Sequence, residues 1–119
     1  MKSKSDFLDR ISYIIARHIQ ENISATVVLR TEDDFEKIAE KLINLGVPFI
    51  NEYDRFRVRD KNVVVNLLEI KDCSSYNCLS ENVILSENPT DYLDVLHDYR
   101  ILENKIKKLK ETHPITILH

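Results

Sequence analysis

Three arginines at alternate positions, Arg55, Arg57 and Arg59, are the residues of this chain whose type and spacing could do chemistry on a partner. Phe56 and Val58 lie between them, so on a β-strand the guanidiniums project from one face and the apolar pair from the other. Cations repeating every ~6.6 Å along a strand could follow a phosphate backbone or grip an acidic protein surface. Tyr53 adds a ring beside them, though one ring does not make a stacking platform. The competing reading is a solvated strand face whose arginines pair with acids such as Glu52 or Glu69. Charge of that kind also discourages strand edges from pairing with other chains.

Other reactive types are present without the company that their chemistry needs. Cys73 and Cys78 are separated by four residues, and His113 and His119 by five. A finger-type zinc site needs its histidines on one helix, which Pro114 and the strand-like run after it forbid, so no metal is expected. No helix N-terminus lies beside the thiols to activate them. His18 falls within the apolar arc of the first helix and reads as a boundary histidine near its C-terminus. The single glycine, Gly46, excludes dinucleotide fingerprints and phosphate-binding loops. No nucleophile elbow or zinc-protease helix occurs. These features point to a protein that is not an enzyme and takes no cofactor.

The elements that must position the arginines follow from periodicity. Phe7, Leu8, Ile11, Ile14, Ile15 and Ile19 occupy one helical arc, with Ser5 as the expected N-cap of a helix over 6–21. Thr26 to Arg30 is a β-branched run of strand length. Thr31, followed by Glu32, Asp33 and Asp34, opens a helix that should end at Gly46, where a left-handed C-cap is wanted. Extended structure resumes at Val47–Ile50, and Asn51–Asp54 reads as a turn. Arg55–Arg59 is a strand, Asp60–Asn62 a turn, and Val63–Ile70 a more central strand. Asp72–Glu81 reads as a loop and Val83–Leu85 as a short strand. Pro89 suits the first position of a long C-terminal helix running to Glu111, and Ile115–Leu118 suits an edge strand.

The order is α-β-α-β-β-β-β-α-β. It predicts an α+β fold with a mixed sheet, a β-α-β unit over 26–50, antiparallel hairpins after it, and three helices on one face. That order loosely resembles a ferredoxin-like one, a likeness of arrangement that carries no function. In the last helix, Tyr92, Val95, Tyr99, Leu102, Ile106 and Leu109 repeat at 3-4-3-4-3 spacing, the seam expected of a coiled-coil homodimer. Leu93 and Leu96 widen the stripe, which suits packing on the chain's own sheet instead. Lys105, Lys107, Lys108 and Lys110 complement the dipole of that helix's C-terminus.

Composition bounds the rest. The 119 residues are 43% hydrophobic and 31% charged with a net charge of −3, which suits one globular domain over 1–119. That balance gives no supporting field for a nucleic-acid surface. No apolar run is long enough for a signal peptide or a membrane span, so a cytoplasmic protein is expected. Isoleucine, asparagine and lysine are abundant and alanine is scarce, a bias common in phages, viruses and bacteria of low GC content. The expected function is protein binding, as in small accessory or inhibitory proteins of viral or phage type, through Arg55, Arg57, Arg59 and Tyr53. Regulation through nucleic-acid binding on the same strand is the alternative.

Overall fold

The structure, a computed structural model, describes residues 4–72, 82–86, 89–92, 98–112 and 115–118. Among the described residues, three α-helices, α1 (Lys4–Gln20), α2 (Glu32–Asn44) and α3 (Tyr99–Thr112), accompany six strands. The strands are β1 (Ala25–Leu29), β2 (Ile50–Asn51), β3 (Arg55–Arg57), β4 (Val64–Glu69), β5 (Asn82–Ser86) and β6 (Ile115–Leu118). They form one mixed sheet in the order β2-β3-β4-β1-β5-β6, which makes the chain an α+β protein. None of the described helices is long and apolar enough to cross a membrane.

β1 lies inside the sheet with parallel neighbours on both sides, β4 and β5, and β5 pairs in parallel with β6. The antiparallel hairpins β2–β3 and β3–β4 extend the sheet on the other side, as expected. The β-α-β unit over 26–50 is corrected in one respect: β2 does not neighbour β1. Two antiparallel steps carry β2 to the sheet edge, and β4 takes the place beside β1.

Local chemistry explains the element ends. α2 closes in a Schellman motif, with Gly46 N–H donating to Ile43 O and Val47 N–H to Leu42 O, both at 3.0 Å. Gly46 has φ +75°, the left-handed value expected of a glycine there. α1 ends in the same way at Asn22, φ 60°, with Ile23 N–H donating to His18 O. α1 starts at Lys4, so Ser5 lies inside the helix and does not cap it. Thr31 has the extended backbone of an N-cap, but its side chain makes no capping bond.

Register divides the sheet into two faces. Phe56 pairs with Val65, Val65 with Ala25, and Ala25 with Asn82, so these four share one face. Asn82 meets His18 of α1 there, and α1 packs on α2. All five residues of β1 are buried, so its other face is covered too. The β5–α3–β6 crossover advances across the sheet in the opposite direction from the β1-to-β4 connection. Right-handed connections therefore place α3 opposite α1 and α2, which corrects the expectation of three helices on one face. The core gathers Ile11 and Ile15 of α1, Ile38 and Leu42 of α2, Val27 and Ile84 of the sheet, and Leu102, Ile106 and Leu109 of α3.

The long C-terminal helix is also corrected. Pro89–Tyr92 forms a separate 3-10 turn, and α3 begins only at Tyr99. Asp98 caps it: its Oδ1 accepts from the backbone N–H of Arg100 and of Ile101 at 3.0 and 3.3 Å.

Candidate functional site

Arg55 and Arg57 stand on the sheet face away from α1 and α2, because Phe56 between them is buried on the inner face. Both remain about half exposed. Each donates its Nε–H to the same atom, Oε1 of Glu52, at 2.8 and 2.7 Å. Glu52 lies in the tight turn between β2 and β3, where its N–H donates to Arg55 O at 3.0 Å. The hydrogen bond from Arg57 foremost, aided by Arg55, holds the Glu52 carboxyl below its ordinary pKa.

Arg59 does not join them. β3 stops at Arg57, and the chain enters a turn in which Asp60 has φ 62°. Arg59 is exposed within that turn, so the expected row of three guanidiniums is a row of two.

Tyr53 sits in the same turn as Glu52 but serves the opposite face. Its backbone is left-handed, φ 75°, and its N–H donates to Asn51 Oδ1 at 2.9 Å, an Asx turn. Its hydroxyl donates to Glu32 Oε2 at 2.7 Å, and its ring meets Phe35 edge-on at 6.0 Å. The Glu32 hydrogen bond, followed by burial and nearby carboxylates, raises the Tyr53 pKa above 10.0. A shallow depression of about 220 Å³ lies there, lined by Phe35, Glu36, Asn51 and Tyr53. The four residues expected to bind a partner thus divide among the outer face, the adjoining turn and the α2 side.

Four of the residues expected at a dimer seam, Tyr92, Leu102, Ile106 and Leu109, are buried within the chain. Tyr92 is fully buried; its hydroxyl donates to Val28 O and accepts from Ser86 N–H, both at 3.0 Å. Leu102, Ile106 and Leu109 are buried in the core, while Ile101 on the opposite side of α3 is exposed. Tyr99 opens α3. Val95, Cys73, Cys78, His97, His113 and His119 lie outside the described residues. Among those described, no group of three His, Cys, Asp or Glu side chains could hold a metal ion. His18, half-buried, lies with Nε2 2.9 Å from the Asn82 side-chain amide and Nδ1 2.8 Å from Ile14 O.

Sequence reasoning missed a second polar constellation, at the carboxyl ends of the parallel strands. The connection leaving β1 runs toward β4 and the one leaving β5 toward β6, so a topological switch point falls between β1 and β5. Arg30, just after β1, donates from Nε and Nη2 to the two oxygens of Asp34 at 2.9 and 3.0 Å. The pair is buried, at 5% and 3% exposure, and the guanidinium lies 4.9 Å from the Phe7 ring centre. Across the switch point, Ser86 Oγ donates to Asp91. The available signal was a charged residue ending an apolar strand with an aspartate four positions on.

A groove of about 360 Å³ between α1 and α2 is lined by Asp9, Ser12, Tyr13, Lys41, Asn44 and Leu45. Compared with protein-family models, with curated proteins and with solved structures, the chain matches none.

Proposed function

We propose that this chain is a non-enzymatic, cytoplasmic protein-binding module, an accessory or inhibitory protein that grips an acidic surface of its partner through Arg55 and Arg57. The observation that carries this reading is the sharing of one Glu52 oxygen by two half-exposed guanidiniums. Each half-exposed arginine uses Nε for that bond, and its Nη nitrogens are the donors that a partner would take up. Two forks fixed in advance lose less side-chain freedom on binding than two free arginines would.

Capture from a lysate of the source cells, read by mass spectrometry, tests the reading. The wild-type chain should retain a protein partner that Arg55→Ala/Arg57→Ala/Arg59→Ala does not, and nuclease should leave that capture intact. The variant should fold, because Phe56 still fills the inner face. Added salt should weaken the capture, since exposed charges are screened within ~8 Å at physiological ionic strength. Equal capture by the variant would move the binding surface elsewhere, and release by nuclease would identify nucleic acid as the partner.

A further inference from the structure

The arginine pair already holds an anion, and it belongs to the chain. Glu52 reaches the pair from a turn whose shape is imposed by other contacts. The Asn51 side chain holds the Tyr53 N–H, Tyr53 adopts φ 75°, and the Tyr53 hydroxyl is tied to Glu32. The Glu52 carboxylate is therefore delivered to the guanidiniums by the hairpin and did not arrive there as a free side chain would.

Its fit is incomplete. The strongest arginine–carboxylate geometry is a fork, with two parallel N–H···O bonds from one guanidinium to two oxygens. Glu52 offers one oxygen to both arginines and receives a single bond from each. Two cations and one anion leave the triplet with a net charge of +1, so the site still attracts a second carboxylate. An incoming acidic side chain can form the fork that Glu52 does not.

We propose that Glu52 is an internal competitor: it occupies the Arg55–Arg57 site in the free protein, and a carboxylate of an acidic protein segment displaces it on binding. The inference rests on the reading of this face as a protein-binding surface. It specifies the recognised group as a carboxylate, because a carboxylate is what the two guanidiniums already coordinate. It also assigns Glu52 a role in setting affinity, since every binding event must first break its two charge-assisted bonds.

Binding of a hexaglutamate peptide at low salt, followed by calorimetry, tests the inference. Glu52→Gln should bind the peptide about tenfold more tightly than wild type, because the two arginines then give up bonds to a neutral amide oxygen and not to a carboxylate. Glu40→Gln makes the same change in net charge at an exposed position on α2 and should bind like wild type. Arg55→Ala/Arg57→Ala should abolish binding whether or not Glu52 is also replaced. Circular dichroism should show all variants folded, and Glu52→Ala provides a second removal of the carboxylate should Gln alter the turn. If Glu52→Gln and Glu52→Ala bind no more tightly than Glu40→Gln while the arginines remain essential, the competitor is overturned and the binding surface stands. If the arginine variant binds like wild type, the surface itself is overturned. Tighter arginine-dependent binding of a short DNA duplex than of the peptide would overturn the carboxylate assignment.

Discussion

Two guanidiniums govern the charge of Glu52. Its carboxyl is held below the ordinary value of 4.5 first by the hydrogen bond from Arg57 and then by Arg55. A folded-state pKa below the unfolded one means that the contact contributes stability above pH 4.5, and that this contribution is lost as pH falls through the lower folded value. Carbon-13 NMR of the side-chain carboxyl should therefore give a Glu52 midpoint below 4.5. Arg57→Ala should move that midpoint upward, and by more than Arg55→Ala does, because the Arg57 hydrogen bond is the leading cause. A midpoint unmoved by Arg57→Ala would mean that the contact is not maintained in solution. The alternation of arginines across Phe56 was readable in the sequence, which offered Glu52 or Glu69 as counter-ions; Glu52 takes both arginines and Glu69 pairs with Lys71. The departure of Arg59 was not, because it depends on the left-handed Asp60 turn, and composition does not announce a positive φ at an aspartate. Nor could spacing show that Tyr53, one residue from Glu52, turns its ring to the other side of the sheet.

Among the elements, those whose ends carry their own chemistry were the readable ones. Gly46 directly follows the apolar stripe of α2, and the Schellman motif forms there. Beyond its two chain neighbours, no atom lies within 4 Å of where a Cβ on Gly46 would stand, so a substitution meets only the backbone cost of φ +75°. Gly46→Ala should thus destabilise the protein by about 1–2 kcal/mol, measured by urea unfolding, with an unchanged fold. A stabilising Gly46→Ala would contradict the left-handed cap. The C-terminal helix misled because apolar spacing continues through a break. Tyr92, Tyr99 and Leu102 keep a helical rhythm, yet Tyr92 belongs to a 3-10 turn and Asp98 starts a new helix with its own cap. Periodicity counts residues and does not register where the backbone changes pitch. The placement of β2 was hidden for a related reason. A strand, a helix and a strand in succession suggest neighbours, whereas the two hairpins that follow carry β4, not β2, to the position beside β1.

At the scale of the whole molecule, the parallel strands, α1 and α2 meet around one buried ion pair. Arg30 ends β1, Asp34 stands in the first turn of α2, and Phe7 of α1 lies against the guanidinium. Asp34 also accepts the Arg30 backbone N–H at 3.2 Å, so a single carboxylate satisfies three donors at the strand-to-helix corner. Burial decides what this pair is worth. The Lys41–Asp9 bridge between α1 and α2 has an Asp9 side chain 60% exposed, and such a pair contributes at most about 1 kcal/mol. Removing one partner of a buried pair leaves a charge with neither water nor counter-ion, at a cost of about 3–5 kcal/mol. Against a total stability of about 5–15 kcal/mol, Asp34→Ala should bring the protein close to unfolding, while Asp9→Ala should barely move it. Arg30→Met/Asp34→Leu removes both charges and keeps apolar volume against Phe7, so it should recover the part of the loss that comes from the unpaired charge, while the backbone N–H at position 30 still lacks its acceptor. Urea unfolding of the three variants measures the contrast. If Asp34→Ala costs no more than Asp9→Ala, water or a rearranged Arg30 must satisfy the charge, and the corner does not depend on the pair. If the double variant is as unstable as Asp34→Ala, the directed hydrogen bonds themselves, rather than the avoidance of an unpaired charge, hold β1, α1 and α2 together.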